Sequence, residues 1–170
     1  MNKSAYSKRG IVALCAIVYF TSYFSRKSFA ASLFGMMEAG AILQGTAGLV
    51  ETAMFICYGA GQLLSGYLGD KIKPQWLMAI GLAATALCNL LMPLMPNGAL
   101  MIPVWALNGL AQAMMWPPIS RILAEYCTPA DYRKGTMIVS LGSSIATMSI
   151  FLLASMCAAW FNWRTLFYIA

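Results

Sequence analysis

The chain has 170 residues, 61% of them hydrophobic and only 9% charged, with a formal net charge of +6. Soluble domains are far less apolar and carry far more charge, so the composition excludes an ordinary globular domain. The eleven basic residues form no long run and mostly flank apolar stretches, so we expect no nucleic-acid partner. We interpret the chain as an all-α membrane protein whose surroundings are a lipid bilayer.

The reactive side chains exclude further classes of protein. The chain has no histidine, which rules out His-based catalytic dyads and His metal ligands. Its five cysteines lie far apart without a Cys-x-x-Cys motif, which is typical of reduced structural thiols. We also find no metal-ligand cluster and no nucleophile beside a base. We therefore expect neither an enzyme nor a bound cofactor.

Apolar runs recur along the chain at about the 20 residues that a helix needs to cross about 30 Å of hydrocarbon. We predict five complete spans and an incomplete sixth, at about residues 11–34, 45–69, 75–95, 99–125, 135–159 and 163–170. Because the sixth has only a few of the residues it requires, we expect the chain to be a fragment or a truncated product. Residues 1–170 would form one N-terminal transmembrane helical bundle.

The distribution of Lys and Arg predicts the orientation of these spans. Basic residues occur in the N-terminal tail and in the second and fourth loops: Lys3, Lys8, Arg9, Lys71, Lys73, Arg133 and Lys134. The loops between them carry none, apart from Arg164 at the start of the last run. The positive-inside rule then places the N-terminus in the cytoplasm.

The first span contains adjacent cations at Arg26 and Lys27. At 100° per residue, Tyr19, Tyr23 and Arg26 share one helix face, while Lys27 points away from it. A charge deep in a bilayer usually faces a cavity or a partner, and we find no Asp or Glu at a matching depth. An anionic ligand could supply the missing counter-charge, since a guanidinium grips phosphate or carboxylate with two hydrogen bonds. Alternatively, Arg26 snorkels or pairs with a residue outside the chain.

Two other spans carry polar residues in a helical pattern. Gln62, among small residues in the second span, faces a cavity or packs against another helix. In the fourth span, Asn108, Gln112 and Trp116 form a stripe at intervals of four residues. Pro117 and Pro118 then interrupt the helix, which marks either a binding region or a structural kink.

The third and fifth spans contain fewer candidate ligand-binding residues. The third has one polar residue of note, Asn89, and we expect it to face lipid. The fifth carries hydroxyl groups on one narrow face, for which we favour close helix packing over ligand contact; they belong to Ser140, Ser143, Ser144 and Thr147.

The stretch GYLGDK, residues 66–71, closes the second span. Its glycines permit close backbone approach, Asp70 caps the predicted cytoplasmic end, and Lys71 begins a basic loop. Asp70 is placed to pair with Arg133 or Lys134 across the inner surface, as a latch.

Together these residues resemble the major facilitator superfamily, because GYLGDK is similar to its Gly-x-x-x-Asp-Arg/Lys signature between the second and third spans. YFSRKSFA in the first span and NGLAQAMMWPPISR in the fourth resemble the organophosphate:phosphate antiporters. The likeness covers nearly the whole chain. It implies that Arg26 contacts the substrate phosphate and that Tyr19 and Tyr23 line the cavity. Two departures are Gln62, where well-studied members have lysine, and the loop DKIKPQ, which lacks the usual final basic residue.

The resemblance implies the N-terminal six-helix half of a plasma-membrane secondary transporter, with its substrate site between this half and a missing C-terminal half. The substrate would be a phosphate ester or another organic anion, bound by Arg26, Tyr19, Tyr23, Gln62, Asn108 and Gln112. Asp70, Lys71 and Arg133 would act in gating. The lack of a midplane carboxylate favours exchange for inorganic phosphate over proton symport. A sugar-phosphate sensor and a proton-coupled carrier of carboxylates remain alternatives.

Overall fold

The structure is a bundle of helices joined by short connections. The computed structural model describes residues 7–160 and 162–170, with the backbone alone at residues 70 and 158–160. The helices are α1 (Lys8–Arg26), α2 (Ser28–Glu38), α3 (Gln44–Lys71), α4 (Pro74–Leu91), α5 (Gly98–Ala113), α6 (Trp116–Tyr126), α7 (Pro129–Trp160) and α8 (Trp163–Ile169), with a 3₁₀ turn at Met92–Leu94. These ranges contain no strand, which confirms the all-α class.

Within the described residues, four helical segments are long and apolar enough to cross a bilayer. They are Gln44–Gly69, Pro74–Leu94, Gly98–Tyr126 and Pro129–Cys157. Many large apolar side chains on their surfaces are exposed, among them Leu63 at 81% and Met148 at 73%. Exposed apolar surface on this scale is what a lipid environment accommodates and water does not. The chain is a multi-pass membrane protein.

The first predicted span, 11–34, is two helices separated by a break at Lys27. Ser28 Oγ donates to the Ser25 carbonyl at 2.9 Å, and Asn89 Nδ2 from α4 donates to the same oxygen at 3.3 Å. The Ser28 Oγ atom also lies 2.6 Å from Asn89 Oδ1, an alternative acceptor for its single O–H. Side chains that bond to carbonyls inside a helix commonly bend it. The break therefore lies immediately beside Arg26.

The fourth predicted span is interrupted as expected, between α5 and α6. Proline lacks an N–H, so Pro117 cannot donate to the Ala113 carbonyl four residues earlier. Met114 and Met115 bridge the two helices in a turn, with their N–H groups bonded three residues back. A helix break in a membrane persists where neighbouring groups satisfy the freed carbonyl.

Glycine allows α3 and α5 to approach closely. A Cβ at Gly109 would collide with the Met54 carbonyl oxygen of α3, and one at Gly61 would lie 2.7 Å from the Ala113 Cβ. Small residues at such crossings bring helix backbones together in membranes. These contacts fix the middle of α3, between Met54 and Gly61, against the broken fourth span.

The apolar residues buried among the described ones form three clusters. The first contains Phe29, Met54 and Trp105, and the second contains Tyr19, Met115 and Ile119. A third, smaller cluster lies between α7 and α8. Buried polar side chains lie between the first two clusters along α1, α2, α4 and α5, among them Ser22, Ser25, Ser28, Thr85, Asn89, Asn108 and Gln112.

The expectation that the third span faces lipid is wrong for one side of α4. Thr85 and Asn89 are each 1% exposed, and both bond to other helices. Trp76 and Leu87 on the other side are exposed. The sequence pattern looked uniform because only two polar residues mark the buried face.

The hydroxyl face of α7 is not closely packed, contrary to expectation. Ser143 and Ser144 donate to the Ser140 carbonyl at 2.7 and 3.4 Å, and Thr147 donates to the Ser143 carbonyl at 2.9 Å. Ser140 and Ser144 are exposed. Short hydroxyl side chains satisfied by their own helix do not need a neighbouring helix.

Candidate functional site

Arg26 is held among aromatic rings at the end of α1. It is 7% exposed, so it does not snorkel to a surface. Its guanidinium carbon lies 4.3 Å from the centre of the Tyr58 ring, 5.5 Å from that of Tyr23 and 5.6 Å from that of Phe55. The Arg26 Nε atom has no hydrogen-bond partner. An arginine stacked on rings keeps its donors available for an acceptor that arrives from outside.

The two predicted tyrosines lie beside Arg26 on the same face. The Tyr19 hydroxyl donates to the Tyr23 hydroxyl at 3.4 Å, and their ring centres are 4.8 Å apart. Tyr19 also packs against Trp116 of α6, with ring centres 5.5 Å apart. The structure therefore places the Tyr19 hydroxyl, the Tyr23 hydroxyl and the Arg26 guanidinium next to one another. Such a row can bind an anion that also has hydroxyl groups.

Gln62 supports the broken fourth span. Its Nε2 atom donates to the Ala113 carbonyl at 3.3 Å. This is the carbonyl to which Pro117, which has no N–H, cannot donate. Gln62 lies four residues after Tyr58 on α3. It is therefore about one helical turn from the point where the Tyr58 ring contacts Arg26. The helix-packing role that the sequence left open is thus present in the structure.

Gln112 and Asn108 are both buried in the bundle. Gln112 accepts from Ser22 Oγ at 2.6 Å and donates to the Ser22 carbonyl and to Thr85 Oγ1, each at 3.1 Å. Its hydrogen bonds are used in joining α5 to α1 and α4. Asn108 is fully buried, and neither its Oδ1 nor its Nδ2 has a partner. A buried amide without partners is costly, and its hydrogen-bonding capacity is unused.

Glu51 is half-buried on α3, within the membrane segment Gln44–Gly69. It lies about one helical turn before Phe55, whose ring contacts the Arg26 guanidinium. Lys8 at the start of α1 and Asp131 at the start of α7 form a salt bridge at 3.2 Å.

The predicted inner latch is only partly visible. The Asp70 side chain lies outside those that the structure describes. Lys71 contacts the Tyr67 hydroxyl and ring, while Arg133 is exposed. Among the described side chains, Arg121 of α6 donates to the Gly69 carbonyl near the end of α3.

Sequence reasoning missed four residues around these contacts: Glu51, Phe55, Tyr58 and Arg121. A signal for three of them was present. Glu51, Phe55, Tyr58 and Gln62 recur every three or four residues, so they lie along one side of α3. Phe55 and Tyr58 on that side contact the Arg26 guanidinium.

Comparison with known proteins shows the family of the chain. The family model described as Major Facilitator Superfamily matches residues 15–170. The chain is 26% identical over 151 residues to a probable hexose phosphate transport protein of Chlamydia trachomatis, covering 89% of the chain and 33% of the relative. It is 28% identical over 157 residues to a glycerol-3-phosphate transporter of Bacillus subtilis, covering 89% and 35%.

A third relative is the membrane sensor protein UhpC of Salmonella typhimurium, 26% identical over 159 residues, which cover 94% of the chain and 36% of the relative. The chain thus spans about a third of the length of these relatives. Since the family model matches well over half of the chain, the chain belongs to the Major Facilitator Superfamily.

Proposed function

We propose that the chain is the N-terminal half of a secondary transporter that exchanges an organic phosphate ester for inorganic phosphate. The observation that carries this proposal is the Arg26 side chain, which is buried among three aromatic rings with an unpaired Nε atom. A guanidinium in this setting offers two parallel hydrogen bonds to a phosphate. Relatives named as transporters of phosphate esters support the choice of ligand.

In this proposal the substrate lies between the chain and a C-terminal half. Arg26 holds the phosphate, and the Tyr19 and Tyr23 hydroxyls orient the organic part. Gln62, Asn108 and Gln112 complete the α3 and α5 side, with Asn108 contributing the amide that has no partner in the structure. Rocking of one half against the other would expose the site alternately to each side of the membrane.

We propose that residues around the end of α3 close the cytoplasmic end of the transporter. Asp70, Lys71 and Arg133 form the proposed gate, and Arg121 joins them through the Gly69 carbonyl. In this proposal the end of α3 and the N-terminus lie on the cytoplasmic side of the plasma membrane, an orientation that the basic loops support.

Counterflow tests the proposal. The chain and any sequence that continues it in its gene are reconstituted in proteoliposomes loaded with inorganic phosphate, and uptake of labelled phosphate is measured. We expect exchange that unlabelled glycerol 3-phosphate or glucose 6-phosphate inhibits. Inhibition by hexuronates but not by phosphate esters would indicate a carboxylate carrier instead.

A sensor is the second candidate, because the similarity to the sensor protein UhpC covers 94% of the chain. Binding of a sugar phosphate without counterflow would favour this candidate. The same proteoliposome preparation distinguishes the two when binding and flux are measured in parallel.

A further inference from the structure

A basic cavity lies at the end of the bundle where α1 and α7 begin. Its volume is about 430 Å³. Lys8 and Arg9 line it from the first turn of α1, and Lys134 lines it from α7. Most of the remaining lining is apolar and includes Val12, Ala13 and Ile138. Because α7 provides the membrane segment Pro129–Cys157, the cavity lies where the surface of the bilayer meets the bundle.

The positive charge of this basic cavity is only partly balanced. Asp131 is the acidic residue of its lining, and it accepts from Lys8 Nζ at 3.2 Å and from Thr128 Oγ1 at 2.7 Å. Among the described side chains, no acidic group forms a salt bridge with Arg9 or Lys134. Both of these cations are exposed. They are therefore available to a phosphate group from outside the protein, which cationic donors bind with short, charge-assisted hydrogen bonds.

An apolar groove continues from the basic cavity along the seam between α1 and α7. Its volume is also about 430 Å³, and it shares Ile138 with the basic cavity. Its other lining residues are all uncharged, and they are Ala16, Ile17, Phe20, Leu141, Gly142 and Ile145. Ile17, Leu141 and Ile145 are each more than half exposed. Since seven residues separate positions 138 and 145, the groove extends about 10 Å along α7, away from the charged end.

Glycines on α7 account for the close seam that underlies this apolar groove. A Cβ at Gly142 would lie 3.3 Å from the Ala16 carbonyl oxygen, and one at Gly135 would lie 3.3 Å from a side-chain carbon of Val12. The two glycines are seven residues apart, so they lie on the same side of α7. Small residues at such positions let membrane helices approach closely. The larger side chains beside the seam then enclose a groove.

We propose that the basic cavity and the apolar groove together bind one anionic phospholipid. Arg9 and Lys134 hold its phosphate, Lys8 remains paired with Asp131, and one acyl chain lies along the groove. Basic pockets between membrane helices bind anionic lipid head groups in this way. A soluble phosphate would occupy the basic cavity alone, whereas a phospholipid also covers the groove. The site uses none of the residues proposed to bind or gate the transported anion, so this inference goes beyond the proposed function and does not depend on it.

The first test measures lipid affinity on this chain together with any sequence that continues it in its gene. The purified protein is titrated with phosphatidylserine, which has a net negative charge, or with phosphatidylcholine of the same acyl chains, which has none. Native mass spectrometry gives the Kd for each lipid. The variants are Arg9→Gln, Lys134→Gln and the double variant. Lys73→Gln is the matched control, because Lys73 is an exposed cation before α4 that does not line the cavity.

We expect the unmodified protein to bind phosphatidylserine at least about tenfold more tightly than phosphatidylcholine. Arg9→Gln and Lys134→Gln should each reduce the affinity for phosphatidylserine by about fivefold, and the double variant should bind the two lipids equally. The Lys73→Gln control should bind both lipids as the unmodified protein does. An equal loss in this control would show a general attraction to basic residues and would overturn the site.

A competition experiment distinguishes the lipid from free phosphate. An excess of inorganic phosphate is compared with chloride at the same ionic strength, so that screening is equal in both samples. We expect the two salts to displace phosphatidylserine to the same extent. Stronger displacement by phosphate would show that the basic cavity is a site for soluble phosphate, and it overturns the lipid as the ligand.

Photo-crosslinking of the unmodified protein locates the acyl chain without relying on any variant. Phosphatidylserine with a diazirine in the middle of one acyl chain is compared in nanodiscs with phosphatidylcholine that carries the same group, and the labelled peptides are identified. We expect phosphatidylserine to label residues 13–20 and 138–145 more strongly than phosphatidylcholine does. Equal labelling of these two segments by both lipids overturns the proposal.

Discussion

The Arg26 guanidinium carbon lies 4.3 Å from the centre of the Tyr58 ring, so a cation of α1 stacks on an aromatic residue of α3. A ring face stabilises a cation by about 0.5–2 kcal/mol, more when both are shielded from water. It does so without using the N–H donors. The contact fixes the position of Arg26 and leaves its hydrogen-bonding capacity for a ligand.

Replacing Arg26 with lysine should reduce anion affinity by at least about tenfold. An ammonium keeps the charge but loses the planar pair of donors that matches two phosphate oxygens. The measurement is equilibrium binding of glycerol 3-phosphate in nanodiscs. Arg164→Lys is the matched control, because Arg164 also stacks on a ring and bonds to a carbonyl, that of Pro93, outside the proposed site. Wild-type affinity in Arg26→Lys would exclude Arg26 as the phosphate ligand.

Tyr58→Ala should weaken anion binding by about 0.5–2 kcal/mol, because Arg26 loses its nearest ring. Tyr58→Phe retains the ring and should bind nearly as well as the unmodified protein. Tyr67→Ala provides a control, since Tyr67 makes a similar contact with Lys71, 4.1 Å from its ring centre, at the end of α3. Equal losses in the alanine and phenylalanine variants of Tyr58 would show that the hydroxyl matters and the ring does not.

Gln62→Leu should destabilise the protein by about 1–3 kcal/mol, because the Ala113 carbonyl is then left without a donor. Gln62→Lys keeps a donor and should retain most of the stability. If the new ammonium also faces the cavity, dianion binding becomes tighter. The Tm and the affinity for a dianion are measured for both variants and for the unmodified protein. Equal stability of Gln62→Leu and the unmodified protein would show that the bond to Ala113 contributes nothing.

Gly109→Ala should destabilise the protein, because Gly109 lies where α5 closely approaches α3. The added methyl would collide with the Met54 carbonyl oxygen and force α3 away from α5. Overpacking of this kind typically costs about 1–3 kcal/mol. Gly59→Ala is the matched control, because a Cβ there meets nothing within 4 Å. Tm measurements should separate the two variants, and similar Tm values would contradict the close approach.

Much of the fold could be predicted because apolar length is a strong signal. The all-helical class and the interruption near Pro117 both follow from local chemistry, namely hydrophobic runs and the missing proline N–H. The break at Lys27 could not be foreseen. It depends on Asn89 of α4, which reaches the Ser25 carbonyl only after the helices have packed.

In the candidate site, contacts within one span could be predicted and contacts between spans could not. The alignment of Tyr19, Tyr23 and Arg26 follows from helical periodicity within one span. The contacts of Arg26 with Phe55 and Tyr58 arise between spans, and no spacing along the chain specifies which helix will be the neighbour.

The bond from Gln62 to the Ala113 carbonyl links the evolution of two distant positions. Proline at position 117 creates an oxygen without a backbone donor, and position 62 supplies the donor from another helix. A sequence that replaces this proline restores the N–H and frees position 62 to become apolar. Among relatives we therefore expect covariation: a glutamine, lysine or other donor where the proline is retained, and relaxed choice where it is lost.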